Sequence, residues 1–446
     1  MLPDSFYDTL KQRLRAGDWS SGERLPSIRK LASSAGVSYH NVVSAYGRLV
    51  SEGLLASQPG RGYFVVHGGG PGSVWREPEC TDGDPLFRLL QAGPTYTKLG
   101  CGWLPPAWRD TALLAKAIRR TARLEQSSLA EYGDIHGFLP LRKQLCVLLK
   151  GLTRIDIRPD QILTTLGATQ ALDLIARLLI KPGDHVFVDE PGNGNLIKLI
   201  QLAGGHAVGI RRTREGPDIE EMKRYLLTHS VKAFFCNSTF HNPTGGNISP
   251  HNAFNVLRLA VEHDFFVVED DVYGDFSPTI RQTFAELDNL DRVIYIGSFS
   301  KCLSASLRVG YIACAQALIE PLVRLKLLTC VAVPAFCERF VNTILADGTY
   351  AGHMKNVQQK LVTQQTLTQR CLLRQGWQFE IAPEGGMFIW ARHPEIFDTQ
   401  DFVSKLEKQK ILLMPGSSFS VTRDYRDFIR LNCSHFSATL ESHFSV

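Results

Sequence analysis

From about residue 120 onward, short apolar runs alternate with helical patterns, and this alternation constrains the fold more than any other feature of the chain. Ile162–Thr165, His185–Val188, His206–Ile210, Ala233–Cys236, Phe265–Glu269, Val293–Gly297 and Tyr311–Ala313 read as strands. Between them lie helical patterns over Leu196–Ala203, Ile219–Leu227, Ala253–His263 and Ala168–Leu179, the last with Leu172, Ile175, Ala176 and Leu179 on one face. Strands separated by helices predict an α/β domain, a largely parallel sheet with helices on both faces. Ligands of such sheets sit beyond the carboxyl ends of the strands. The chemically interesting residues of this chain nearly all fall just after predicted strands.

Lys301 follows one such run, is ringed by small hydroxyl residues and precedes Arg308 by seven places. Its amine can form a Schiff base with an aldehyde cofactor, while Ser298, Ser300 and Arg308 can hold that cofactor's phosphate. Leu166-Gly167-Ala168-Thr169-Gln170 opens a helix straight after a strand, which aims backbone N–H groups and the Thr169 hydroxyl at a phosphate. In Phe240-His-Asn-Pro-Thr-Gly, Asn242 stands on a turn from which its amide can reach a phenolic oxygen. Glu269-Asp-Asp-Val-Tyr-Gly offers Asp270 as a carboxylate for a pyridine nitrogen, and Tyr273 as a second donor to the phenolic oxygen. In Ile429-Arg430-Leu431-Asn432 a guanidinium on a strand suits a substrate carboxylate. Each piece alone is as readily a turn, a solvated loop or an ion pair; their order along the chain is the evidence.

That order resembles the fold-type I aminotransferases, which bind pyridoxal 5'-phosphate (PLP). The resemblance implies that Tyr132, in Tyr132-Gly-Asp-Ile-His-Gly, reaches the phosphate of a neighbouring subunit. The site would then lie at a dimer interface.

The first 66 residues have a different texture. Phe6–Leu14 is a candidate helix, Pro26 stands at a natural first helical position before Ser27-Ile-Arg-Lys-Leu-Ala, and Ala35-Gly36-Val37 makes a tight turn. Ser38 can cap a further helix, Tyr39 to Ser51. Two short helices around a glycine turn match a helix-turn-helix. Leu54–Ser57 and Tyr63–Val66 alternate like a hairpin around Pro59-Gly60-Arg61-Gly62, a wing. The segment holds eight Lys or Arg against five Asp or Glu, a net of +3 that suits phosphate contacts. Gly22-Glu-Arg-Leu-Pro-Ser-Ile-Arg-Lys-Leu-Ala, Gly36-Val-Ser, Glu52-Gly-Leu-Leu and Gly60-Arg-Gly-Tyr-Phe-Val resemble the winged helix of the GntR family. The resemblance implies DNA contacts from Arg29, from Ser38, Tyr39, His40 and Asn41 at the start of the recognition helix, and from Arg61 and Gly62 in the wing. Many members carry Ser-Arg-x-Thr where this chain has Ser38-Tyr39-His40-Asn41. Tyr39 cannot make the bidentate guanine contact of an arginine, so the operator sequence does not transfer. Asn41 suits adenine or a solvated face.

Residues 67–85 are rich in Gly, Pro and charge and read as a flexible linker, leaving 86–446 for the aminotransferase-like domain. Within it, about 120–315 would be a large subdomain and 316–446, with part of 86–119, a small α+β one. Winged helix, linker and aminotransferase-like domain together resemble the MocR subfamily of bacterial regulators. The resemblance implies a PLP-dependent transcription factor, usually a head-to-tail homodimer, that responds to an amino compound or to PLP itself and acts on a double-stranded promoter operator. The alternatives are a working aminotransferase with an appended DNA-binding module, and a sensor of PLP level alone.

Three departures stand out. Glu190-Pro-Gly-Asn193 has Asn193, a turn residue or a hydrogen-bonder at the ring's edge, where the family has an aromatic stacked on the pyridine. The stretch around His353 lacks the family's arginine and tyrosine pattern, and the chain runs only a short way past Asn432. These departures predict at most slow transaminase turnover and a less complete small subdomain.

The net charge of +5 permits nucleic acid without demanding it. No run of about 18 apolar residues suggests a membrane span, and Met-Leu-Pro-Asp-Ser-Phe is unlike a signal peptide. A cytoplasmic, nucleoid-associated protein is expected. The ten scattered cysteines form no Cys-x-x-Cys pair and read as buried reduced thiols, with no metal site.

Overall fold

The computed structural model describes residues 3–15, 18–20, 22–58, 61–66, 85–124, 132–422 and 424–445. It divides into two units, Met1–Asp82 and Gly83–Val446. Of the expected linker, residues 67–84 lie outside the described residues, while Pro85 begins a helix, Pro85–Gln91.

The first unit packs helices Pro3–Arg15, Ile28–Ala35 and Tyr39–Ser51 against a hairpin of β1 (Leu55–Gln58) and β2 (Gly62–Val65). Phe6, Leu10, Leu31, Val42, Tyr46, Leu49 and Leu55 form its core. The second helix starts two residues later than the proline signal suggested, at Ile28. Ser27 is its cap, accepting from Lys30 N, so Pro26 stands outside the helix, and its carbonyl accepts the Tyr46 hydroxyl at 2.8 Å. Gly36, at φ 65°, ends the helix, and Ser38 caps the next by accepting from Asn41 N at 3.2 Å. Pro59 and Gly60 of the wing lie outside the described residues.

The second unit is built on an eight-stranded sheet. Its strands are β3 (Ile162–Thr165), β4 (His185–Glu190), β5 (His206–Thr213), β6 (Gly216–Pro217), β7 (Val231–Cys236), β8 (Phe266–Asp270), β9 (Val293–Ser298) and β10 (Gly310–Ala313). Their order is β3-β10-β9-β8-β7-β4-β5-β6. Strands β5, β4, β7, β8 and β9 pair in parallel, while β10 is antiparallel to both β9 and β3, and β6 is antiparallel to β5. The sheet is therefore mixed. Only a single turn of 3₁₀ helix, Ala305–Leu307, joins β9 to β10, too little chain for the crossover that a parallel pair needs. Two successive antiparallel pairings leave β3 parallel to β9, so the carboxyl ends of β3, β4, β7, β8 and β9 share one edge.

Alternate residues of the central strands feed two cores. Val186, Val188, Phe235, Val268 and Ile296 meet Leu172 and Ile175 of the helix Gly167–Leu179 and Ile200 of the helix Gly194–Leu202. Phe187, Phe234, Val267 and Tyr295 meet Val256 of the helix Pro250–Glu262 and Phe340 of the helix Ala335–Ala346 on the other face. A sheet covered on both faces explains why these strands are unbroken apolar runs.

A second, antiparallel sheet orders β11 (Phe388–Arg392), β13 (Phe428–Asn432) and β12 (Met414–Pro415), with β13 in the middle. A 26-residue helix, Thr349–Arg374, carries much of the packing around it. Past β13 the chain turns through Cys433–His435 and Ala438–Phe444, and Phe444 is fully buried, its carbonyl accepting Trp377 Nε1 at 2.9 Å.

Among the described residues no helix is long and apolar enough to cross a membrane, and no group of three His, Cys, Asp or Glu is placed to hold a metal ion. The nine described cysteines are unpaired, six of them buried.

Candidate functional site

The shared edge gathers the predicted side chains. Lys301 stands three residues beyond β9, where its amine donates a 2.7 Å hydrogen bond to the Gly102 carbonyl and lies 6.0 Å from the centre of the Tyr273 ring. That bond goes to a carbonyl, not to a carboxylate. Burial, helped by the Arg430 guanidinium, pulls the amine down to about 8, with Asp270 opposing. About a tenth of it is then unprotonated at pH 7, far more than of an exposed lysine.

Asp270 ends β8. Its Oδ1 accepts a long 3.4 Å bond from Val272 N, and its carbonyl accepts Asn237 Nδ2 at 2.6 Å. Burial raises the carboxyl to about 6. A half-buried carboxylate beside the Lys301 amine suits a protonated ring nitrogen. Tyr273 is buried edge-on to Phe388, and burial pushes its phenol up, so the hydroxyl stays a donor.

Arg430 occupies the middle of β13. Its Nη1 donates 2.7 Å to Asn242 Oδ1, Nη2 donates to the Gly100 carbonyl, and the guanidinium lies between the rings of Phe388 and Phe419, 4.6 Å from each centre. Its Nε is buried with no partner among the described residues. Burial lowers the group only to about 10, so it remains a cation. A buried cation bonded to amide and carbonyl oxygens, with a donor to spare, suits an anionic ligand.

The phosphate-type corner lies at the start of the helix Gly167–Leu179. Arg308 Nη2 donates 2.9 Å to the Leu166 carbonyl and Nη1 reaches Ser300 Oγ at 3.5 Å. Ser300 N in turn donates 3.2 Å to Ser298 Oγ. A side chain on Gly167 would put its Cβ 2.9 Å from Arg308 Nη2, so glycine lets the guanidinium close on the helix end. Ala168 and Thr169 occupy that helix's first turn, where backbone N–H groups lack intrahelical acceptors. A groove of about 540 Å³ touches this corner at Leu166, Thr169 and Arg308 and runs away over Arg177, Lys198 and Leu202 rather than over Lys301. Asp270 and Arg430 both act electrostatically on the Lys301 amine, away from this groove.

Two expected residues stand apart. Tyr132 is 87% exposed, on a loop held from behind by Lys326 Nζ on the Ile135 carbonyl and by Glu338 on Phe138 N. Asn193 is a turn residue: it caps the helix Gly194–Leu202, its Oδ1 accepting from Asn195 N at 3.1 Å.

Sequence reasoning missed Gly102, Asn237 and the Asp189 cluster. Residues 97–102 run beside the small sheet, with Gly100 N on the Leu412 carbonyl at 2.8 Å and Asn432 N on the Leu99 carbonyl at 2.6 Å. This brings the Gly100 and Gly102 carbonyls to Arg430 and Lys301. A Cβ on Gly102 would sit 3.6 Å from Lys301 Nζ and 3.9 Å from Tyr273 Oη, inside the space between them. Asp189, held low by Arg212 and His241, buttresses the turn that carries Asn242. Only the glycine pair Gly100 and Gly102 marked any of this in the sequence.

In the first unit, Ser38 and the exposed Tyr39 and His40, with the half-buried Asn41, form the first turn of a helix whose opposite face buries Val42, Tyr46 and Leu49. Arg29 is exposed in the first turn of the preceding helix. Arg61, exposed beside the hairpin, lies 5.9 Å from the Phe64 ring, and Gly62 opens β2.

Residues 94–443 match the model of aminotransferase class I and II. The chain belongs to that family. Residues 3–65 match the gntR family of bacterial regulatory proteins, and the pairing makes this aminotransferase-family chain a DNA-binding, PLP-dependent regulator of the MocR subfamily. The HTH-type transcriptional regulator YjiR of Escherichia coli is 27% identical, over 95% of this chain and 93% of its own. The probable rhizopine catabolism regulatory protein MocR of Rhizobium meliloti is 25% identical, over 79% and 73%. LysN, an alpha-aminoadipate aminotransferase from Thermus thermophilus solved with N-(5'-phosphopyridoxyl)-L-leucine, superposes with a TM-score of 0.74 over 82% of this chain and 92% of its own, at 23% identity.

Proposed function

We propose that a small amino acid or amine is the signal, that it is received on PLP held at Lys301, and that it changes how paired winged helices grip a promoter operator. The observation that carries this reading is an amine depressed to about 8, acted on electrostatically by a half-buried carboxylate, Asp270, and by a guanidinium with an unpaired Nε, Arg430. PLP, when bound, supplies an aldehyde carbon open to amines and a ring that draws electrons from it.

The chain's own residues do the rest. Lys301 is the resident nucleophile, Asp270 keeps the ring nitrogen's proton, and Asn242 and Tyr273 meet the phenolic oxygen. Gly167, Ala168, Thr169, Ser298, Ser300 and Arg308 hold the phosphate. Arg430 meets the carboxylate of the signal. Tyr132, exposed on a firmly anchored loop, is offered to the phosphate of a second copy in a head-to-tail homodimer, and exposed Leu202 and Leu328 are apolar surface available for that contact. Arg29, Ser38, Tyr39, His40, Asn41, Arg61 and Gly62 face the DNA of a cytoplasmic, nucleoid-bound regulator.

Arg430→Ala is expected to weaken amino-acid binding by about 2–3 kcal/mol, roughly a hundredfold, with PLP still bound. Spectral titration of the PLP-loaded protein checks it. A sensor of PLP alone would keep its PLP-dependent DNA binding unchanged in this variant.

Uptake of PLP depends on the unprotonated amine. Below pH 8 its rate is expected to rise roughly tenfold per pH unit, levelling above, as the Lys301 proton is lost. Stopped-flow absorbance across pH 6–9 reads this, and a flat profile would contradict it.

The second reading, an active aminotransferase, is favoured by the same depressed amine, a ready proton carrier. Against it, Asn193 caps a helix and offers no ring face. Conversion of bound PLP to its amine form by an amino acid, followed spectrally over minutes, separates the two.

A further inference from the structure

The N-terminal third of the helix Thr349–Arg374 is bonded to both segments that frame the Lys301 amine. The Tyr350 hydroxyl donates to Asp275 Oδ2 and stands 3.1 Å from Cys302 Sγ. His353 Nε2 lies 2.8 Å from the Cys302 carbonyl and donates to it. Gln358 Nε2 donates to the Asp275 and Ser277 carbonyls at 2.9 and 2.8 Å. Tyr350, His353 and Cys302 are all buried, and the Tyr350 ring packs edge-on to Phe299.

The Tyr350 hydroxyl is placed to donate to either Asp275 Oδ2 or Cys302 Sγ. Burial pushes the Cys302 thiol far up, so it keeps its hydrogen, which it donates to the Ser298 carbonyl at 3.8 Å. A chain of contacts thus runs from Cys302, the residue after Lys301, through Tyr350 to Asp275, two residues after Tyr273.

The other end of the same helix holds the small sheet's surroundings. Gln364 Nε2 donates 2.5 Å to the Phe436 carbonyl, Gln365 Nε2 donates 2.9 Å to the Gly385 carbonyl, and Arg374 pairs with Glu441. The helix also packs on Cys433–His435, the turn that directly follows β13 and its Arg430. At about 1.5 Å per residue it is a rod roughly 39 Å long. One rigid element therefore touches the amine's backbone at one end and the elements around Arg430 at the other.

We propose that Tyr350 and His353 are positioning residues for Lys301, and that through them a change of bonding at its amine moves the long helix and the elements behind Arg430. This rests on the functional reading above, because it supposes that PLP attaches at Lys301. It adds the route by which the attachment is felt outside the site, a two-ended rod biased by local contacts.

The test uses the full chain. Tyr350→Phe removes one oxygen, His353→Ala removes the donor to Cys302, and His353→Gln keeps an N–H donor there. Visible circular dichroism reports how bound PLP is oriented, and gel retardation gives the ratio of operator affinities with and without PLP. Tyr350→Phe and His353→Ala are expected to retain PLP absorbance and DNA binding, while the dichroic band weakens and the affinity ratio falls roughly tenfold toward one. His353→Gln is expected to restore both. Wild-type dichroism and ratio in Tyr350→Phe and His353→Ala, or no restoration by His353→Gln, would overturn the proposal. Wild-type protein that takes up no PLP would overturn the functional reading, and the rod with it.

Discussion

Lys301→Ala is expected to abolish the visible absorbance of the PLP-treated protein and the stabilisation that PLP confers against heat. The other groups at the site supply hydrogen bonds and charge, each worth about 1–3 kcal/mol, and none can replace a covalent attachment. Asp270, raised to about 6 by burial, would then face the ring without the amine that anchors it. Ligand stabilisation grows only with the logarithm of concentration over Kd, so a large loss of affinity removes nearly all of the shift in melting temperature. Absorbance and thermal unfolding, run side by side with wild type, measure it. A variant that keeps the band would show that another amine carries the cofactor.

Removal of residues 1–66 is expected to eliminate operator binding and leave the cofactor spectrum intact. The excised segment has its own core, from Phe6 to Leu55, and its own excess of positive charge. Lys301, Asp270, Tyr273 and Arg430 all lie in Gly83–Val446, with two hydrophobic cores beneath them. In the full chain, affinity is expected to fall steeply with salt as phosphate contacts are screened. Gel retardation at two salt concentrations, with the truncated and full chains, reads both effects. A truncated protein that still shifts the promoter fragment would place the DNA contacts elsewhere.

What the sequence made legible follows from how locally each feature is encoded. Ile162–Thr165 and Val293–Gly297 are runs bounded by turn or charged residues, and the structure has strands there with at most one residue's difference. Asn242, Asp270 and Lys301 were found because the parallel strands of an α/β sheet put their loops at one edge. The antiparallel direction of β10 was not legible, because periodicity gives a strand's faces but not its sense. Contacts across the chain were hidden as well. Lys301 and Gly102 are 199 residues apart, Arg430 and Gly100 are 330, and the threading of residues 97–102 beside the small sheet brings both pairs together. Pro26 misled by two places because Ser27, a better cap, follows it and Ile28 opens the helix.

The most direct measurement is peptide mass spectrometry of the full-length protein incubated with PLP and reduced with borohydride. A phosphopyridoxyl mass on the peptide containing Lys301 is the predicted result. That peptide recovered unmodified, or the mass found on a different lysine, would contradict the account.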